Sequence, residues 1–189
     1  NLMAKVRLPC QAGAFYEGTK GSLEKQVEDC FLHRFGPGKL PKATDSDLKH
    51  VVGLICPHAG YMFSGACASW SYKAIAEANL PDIFLLFGPS HSGFSTCFSS
   101  EDWQTPLGVM KTDRQFVEFL SKKVNVPIND RAHASEHSIE VQLPFLQFVV
   151  KNPKIVCLMV SHDINPIELG KTLKKAIAES RKKVCIIAS

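Results

Sequence analysis

Two short apolar runs, each delivering the chain into a histidine flanked by glycine and proline, constrain this sequence more than any other feature. Val51-Val52-Gly53-Leu54-Ile55-Cys56 leads into Pro57-His58-Ala59-Gly60-Tyr61, and Ile83-Phe84-Leu85-Leu86-Phe87 leads into Gly88-Pro89-Ser90-His91. An unbroken apolar run of this length, bounded by Gly or Pro, predicts an inner strand covered on both faces. Both histidines would then lie just past the C-terminal ends of strands. That is the edge at which open α/β sheets bind ligands.

The remaining segments alternate in the same way. Residues 6–18 predict an extended segment and a turn. Ser22 is expected to cap a helix carrying Leu23, Val27 and Phe31 inward, stopped at Gly36-Pro37-Gly38. Residues 38–50 predict a surface loop. A small-residue helix opens at Ser64 or Gly65 and runs to about Ala78, with Ala66, Ala68 and Ala74 allowing close approach to a sheet. The polar stretch from Ser92 to Thr105 is expected to wall a pocket. Asp113 begins a helix with Phe116, Val117 and Leu120 inward, and Val124 to Ile128 predicts a short strand. The helix after His133 bears Ile139, Leu143, Leu146 and Val150, with Pro144 expected to kink it. Ile155–Val160 predicts an inner strand. Asn165, Pro166 and Glu168 agree on a helix start, and Val184–Ala188 predicts a further buried strand. Alternating strands and helices imply a largely parallel sheet covered on both faces, a three-layer α/β/α fold.

At 189 residues the chain is read as one domain, large enough for a substantial core. No apolar run approaches the roughly 18–20 residues of a transmembrane helix, and the first residues lack the apolar region of a secretory signal. Asn1 and Leu2 precede Met3, where the native start is expected. Seven cysteines, odd in number and without a Cys-x-x-Cys pair, fit a reduced, cytoplasmic protein rather than a disulfide framework. Cys56, Cys157 and Cys185 lie in or beside strand-like runs and are expected to act as small hydrophobes. The net charge of +4 comes without a basic stripe interleaved with aromatics, which argues against nucleic acid as a partner.

A third stretch, His133-Ala134-Ser135-Glu136-His137-Ser138-Ile139-Glu140, adds two imidazoles and two carboxylates. His133 and His137 are four apart, as are Glu136 and Glu140, so each pair would share a face if helical. Neutral imidazole is the commonest side-chain metal ligand. His58 and His91, in matching contexts, could converge on one ion, or each could be a loop histidine bonded to backbone. The acids could equally serve a helix N-terminus through the macrodipole. His-x-x-Glu-His superficially matches an inverted zinc-protease signature, but the proline-interrupted context fits it poorly. Tyr61, Ser64 and Ser90 bring hydroxyls to the same edge and are candidate substrate contacts. No Gly-x-Ser-x-Gly elbow, P-loop or dinucleotide fingerprint is present. His33 and His50 read as surface histidines and His162 as a marginal pocket residue.

Taken in order, Ala12-Gly13-Ala14-Phe15-Tyr16, Pro57-His58-Ala59-Gly60-Tyr61, Ser64-Gly65, Gly88-Pro89-Ser90-His91, Thr105-Pro106-Leu107 and Glu136-His137-Ser138-Ile139-Glu140 followed by Leu143-Pro144 resemble the Memo family across essentially the whole chain. The resemblance implies a LigB-like fold similar to class III extradiol dioxygenases, which hold non-haem iron. It implies His58 and His91 as two of three metal ligands, for iron or copper with a redox role. The third ligand of animal members, a cysteine, and a further Ser-Asp-x-x-His segment would fall beyond Ser189, so the chain is expected to be an incomplete Memo-like domain. Animal members act in receptor-tyrosine-kinase-driven cell motility and bind phosphotyrosine peptides, which implies a phosphopeptide or receptor tail as partner.

Two functional expectations follow. In the first, His58 and His91 hold iron or copper in an enzyme-like, dioxygenase-like site, with His137 and Glu136 as acid–base or supporting groups. Two imidazoles alone make an open site that His137, Glu136 or water would complete. In the second, the same pocket binds a peptide or phosphopeptide without catalysis.

Overall fold

A computed structural model describes residues 5–42 and 50–189. The reading of the first residues, and most of the loop predicted over 38–50, fall outside the described residues. The elements in chain order are β1 (Val6–Arg7), α1 (Lys20–Leu32), β2 (Gly53–Ile55), α2 (Tyr61–Ala76), β3 (Ile83–Pro89), β4 (Cys97–Ser99), β5 (Asp102–Thr105), β6 (Gly108–Thr112), α3 (Arg114–Val124), α4 (Asp130–His133), a 3-10 turn (Glu140–Gln142), α5 (Leu143–Val149), β7 (Lys154–Val160), α6 (Pro166–Ser180) and β8 (Val184–Ala188).

The strands form one eight-stranded mixed sheet in the order β1-β5-β6-β7-β3-β8-β2, with β4 paired to β7 off this path. Every pairing is parallel except β5 with β6 and β4 with β7. β3 is the best-paired strand, in register with β7 from Phe84↔Ile155 to Pro89↔Val160 and with β8 from Ile83↔Val184 to Phe87↔Ala188. Alternation along these strands divides the core. Phe84, Leu86, Ile155, Cys157, Cys185 and Ile187 pack towards α1, α2 and α5. Ile83, Leu85, Val156 and Leu158 pack towards α3 and α6. Period-2 alternation with apolar residues at both phases gives a sheet buried on both sides, so the architecture is three-layer α/β/α.

Local chemistry sets several boundaries. Thr19, not Ser22, caps α1, its hydroxyl accepting from the Ser22 N–H. α2 begins at Tyr61, earlier than its small residues suggest, on an uncapped Gly60. Asp113 caps α3 through the Phe116 N–H, and Asn165 caps α6 through the N–H groups of Ile167 and Glu168. Pro144 does not kink a long helix. It sits in the first turn of α5, where its missing N–H costs nothing, and a separate 3-10 turn precedes it. The strand expected over Val124–Ile128 is absent: Asn125 takes a left-handed cap at φ 54° after α3, and Ile128 makes an isolated bridge with Phe98.

Two larger expectations are corrected. β2 is the terminal strand of the sheet path, not an inner one, and among the described residues it pairs only with β8. Val52 and Ile55 are 78% and 84% exposed, so its apolar run reflects β propensity rather than burial on both faces. The 92–105 segment is largely not a polar pocket wall. It contains β4 and β5, and its polar residues Thr96, Ser99, Asp102 and Thr105 are buried. They are satisfied internally: Ser99 and Ser100 donate to Asp130, and Asp102 accepts from Lys111 and the Thr112 N–H.

The segment between α4 and α5 is irregular and, from Glu136 onwards, largely buried, so its backbone needs partners from elsewhere. Arg7 on β1 supplies them. Its guanidinium donates to the carbonyls of His133 and Glu136 at 3.0 and 2.8 Å and pairs with the Glu140 carboxylate. Glu140 also accepts from Tyr16 Oη at 2.6 Å and from the Cys10 and Gln11 N–H groups at 3.0 and 2.8 Å. Glu140 is thus a structural acid that ties the N-terminal segment to this loop. On the other side, the loop lies against the end of β3. A Cβ on Gly88 would stand 2.2 Å from Ser138 Oγ and 2.7 Å from Ile139 Cγ1.

Both contacts give measurable consequences. Arg7→Met leaves Glu140 buried without its cation and should cost about 3–5 kcal/mol in a denaturant titration; a loss under 1 kcal/mol would mean the pair does not anchor the loop. Gly88→Ala forces Ser138 and Ile139 outwards and should cost about 1–3 kcal/mol, seen as a lower Tm, whereas the same change at Gly170, where nothing lies within 4 Å, should not lower it.

Candidate metal centre

Strands β3, β8 and β2 are neighbours, and their C-terminal ends deliver His91, Ser189 and His58 to one edge. The imidazoles of His58 and His91 reach towards each other across the end of β8, with ring centroids 5.3 Å apart. The loop held by Arg7 brings in a third, His137, 5.7 Å from His58 and 4.4 Å from His91, stacked on the latter at 28°. One nitrogen from each of the three rings lies within 4.8 Å of the others. At metal–imidazole bonds of about 2.0–2.1 Å, a shared ion would draw these nitrogens in to about 3.3 Å of one another. Phe15 packs edge-on against His137 at 4.9 Å, and its carbonyl accepts from the Tyr61 N–H at 2.8 Å. His91 is exposed, while His58 and His137 are half-buried, so the cluster opens to solvent on one side.

Glu136 lies behind the cluster, 1% exposed. Its carboxylate accepts from the His91 N–H and His91 Nδ1, both at 2.8 Å, and from the N–H groups of His137 and Ser138, both at 2.9 Å. Burial alone would raise this carboxyl. The hydrogen bonds from the His91 and Ser138 N–H groups and from the His91 ring outweigh it and bring the group down to about 2. An ionised carboxylate only accepts, so the proton on Nδ1 belongs to His91, whose Nε2 lone pair faces away from Glu136. This is the carboxylate–histidine arrangement that orients metal-ligating imidazoles. With four donors already on its two oxygens, Glu136 is placed to aim and polarise His91. His58 and His137 are both lowered below the ordinary histidine range, first by burial and then by the neighbouring imidazoles, with Glu136 opposing. Both are therefore neutral at pH 7, the form that binds metals.

The other residues singled out in the sequence separate into two groups. Ser90 precedes His91, and its Oγ is buried without a partner among the described residues, at the wall of a cleft of about 500 Å³ shared with His162 and Ser189. Tyr61 and Ser64 spend their hydroxyls on backbone: Tyr61 donates to the Val141 carbonyl at 2.7 Å and Ser64 to the Ala59 carbonyl at 3.2 Å. His133 does not share a face with His137. It is fully buried, donates from Nε2 to the Cys97 carbonyl at 3.1 Å, and meets Trp103 edge-on. The intervening residues are turns rather than helix, which is why the four-residue spacing misleads. His33 and His50 are exposed. Sequence reasoning missed Phe15, Gln142 and Ser189. Gln142 sits two residues past Glu140 in an otherwise apolar stretch, a buried amide whose only sequence signal is that polarity.

The buried ionisable groups set an acid limit. Burial holds His133 neutral, its pKa down at about 4, against about 6.5 in an unfolded chain. Between those values the unfolded state takes up the proton and the folded state does not. Stability is therefore lost as pH falls from about 6.5 to about 4, by roughly 3 kcal/mol in all. Glu136 is depressed, so its contribution is present above about 4.5 and disappears as pH falls towards about 2. Denaturation midpoints from pH 7 to 3 should decline across both windows; a midpoint flat down to pH 4.5 would contradict the assignment for His133.

Comparison with known proteins identifies the family of the chain. Residues 7–189 match the family described as Memo-like protein. The MEMO1 family protein of Methanopyrus kandleri is 38% identical over 190 residues, covering 97% of this chain and 67% of that protein. The MEMO1 family protein of Methanocaldococcus jannaschii is 37% identical, covering 99% of this chain and 69% of its own length. That of Thermotoga maritima is 38% identical, with 97% and 68% covered. This chain therefore spans about two thirds of these relatives' length. With a match over nearly its whole length, and with the strand-end histidines gathered at one edge of the sheet, the chain belongs to the Memo-like protein family.

Proposed function

We propose that His58, His91 and His137 together hold a single iron or copper ion, and that this ion is the working centre of the protein. The observation that carries the reading is the convergence of three ring nitrogens within 4.8 Å, from three separate stretches of chain. The donor set fits: imidazole suits iron and copper alike, and burial keeps His58 and His137 unprotonated at neutral pH. Bound iron or copper with open coordination positions supplies redox and Lewis-acid chemistry, as expected of a dioxygenase-like oxidoreductase.

The chain's own residues do the rest. Glu136 keeps His91 in one tautomer and fixes the direction of its ring. Phe15 shields one flank of His137 from water. The exposed side of His91 leaves an approach for a small substrate.

Anaerobic titration with Fe(II) and with Cu(I) tests the reading. The protein should take up one ion per chain. The His58→Ala, His91→Ala double variant should lose uptake, and His137→Ala should weaken it by tenfold or more. Unchanged binding by the double variant would refute the site.

A further inference from the structure

Among the described residues no carboxylate is hydrogen-bonded to His58, yet its ring too has a partner. Its Nδ1 lies 3.1 Å from Ser189 Oγ. That hydroxyl has one hydrogen and two lone pairs. It lies 2.9 Å from the Ser138 carbonyl, which can only accept, so the hydrogen goes there. One lone pair accepts from Gln142 Nε2 at 2.8 Å. The contact with His58 then requires a donor on the histidine side, which places the proton on Nδ1 and the lone pair on Nε2.

Gln142 is itself fixed. It is 1% exposed, and its Oε1 accepts from Tyr72 Oη at 2.7 Å. Its Nε2 donates to the Pro57 carbonyl at 3.0 Å, immediately before His58. That carbonyl can only accept, which settles which end of the amide is the donor. Tyr72 is fully buried and stacked on Phe145 at 5.1 Å and 9°. The chain Tyr72–Gln142–Ser189 thus runs from the core of the α2 layer to the back of the His58 ring.

We propose that Gln142 and Ser189 are positioning residues that hold His58 as its Nδ1–H tautomer and aim Nε2 at the space shared with His91 and His137. The metal-binding purpose of this device rests on the function proposed above; the tautomer itself does not. A neutral hydrogen-bond relay thereby does for His58 what a buried carboxylate does for His91, and adds no second negative charge behind the cluster.

Long-range 1H–15N spectra of the metal-free full chain, recorded at about pH 8 where imidazoles are neutral, report the tautomer of each ring. Wild-type His58 and His91 should both appear as Nδ1–H. Ser189→Ala should shift His58 towards Nε2–H or a mixture while His91, held by Glu136, keeps its signal. Ser189→Thr, which retains the hydroxyl, should restore His58, and Gln142→Leu should shift it in the same direction as Ser189→Ala. Fe(II) affinity should fall at least tenfold in Ser189→Ala. An Nε2–H signal for His58 in the wild type, no change in Ser189→Ala, or equal changes in His58 and His91 would each overturn the proposal, the last because it marks general loosening. Wild-type protein with the expected tautomers and no metal uptake would refute the metal reading alone. Metal uptake with a His58 tautomer indifferent to Ser189→Ala would refute the positioning role alone.

Discussion

Glu136 sits out of solvent where the turn after β3 meets the irregular segment between α4 and α5, and its two oxygens accept four hydrogen bonds from the two segments. Those bonds make one rigid piece of residues that are 45 positions apart in sequence. A buried carboxylate without such donors would protonate or draw in water. With them it stays charged, and the charge is the reason the His91 imidazole has only one sensible orientation. The same carboxylate thus holds the segments that carry two of the three rings.

The outer frame exists to hold that piece in place. Turns carry unsatisfied backbone groups, and a buried turn segment survives only if other elements satisfy them. Arg7 does this for the carbonyls of His133 and Glu136, and Glu140 does it for the N–H groups of Cys10 and Gln11. A buried ion pair is weak evidence for stability in general. Here its value is in registration: the two-residue strand β1 contributes little sheet, but its arginine decides where the loop sits. Gly88 completes the fit, because Ser138 occupies the volume in which any side chain at position 88 would stand.

Much of the scaffold is legible in the sequence. The runs at 83–87 and 155–160 are apolar at both phases, and both are buried strands. The Asn165-Pro166 start and the Asp113 cap act locally, so each appears where its side chain demands. The histidines at 58 and 91 are recognisable as strand-end residues because each closely follows an apolar run, although Gly88 and Pro89 still belong to β3. Errors arose where burial, not periodicity, decides the outcome. Val51–Cys56 is apolar but lies at the end of the strand order, and the polar 92–105 stretch lies inside. A one-dimensional pattern cannot distinguish a polar residue facing water from one facing a buried aspartate.

Sequence by itself determined the central strands, the Asp113 and Asn165 helix caps, and that two histidines emerge at strand ends, since these depend on neighbours a few residues away. Only the tertiary structure decided the rest. Strand order placed β8 between β3 and β2, so that Ser189 lies between His58 and His91. The arginine on β1 folded the 133–140 segment so that His137 faces the cluster and His133 the core. The burial of Gln142 turned an unremarkable amide into a fixed donor. These outcomes depend on pairings and hydrogen bonds between residues tens of positions apart, where orientation is set by what the packed neighbours leave unsatisfied.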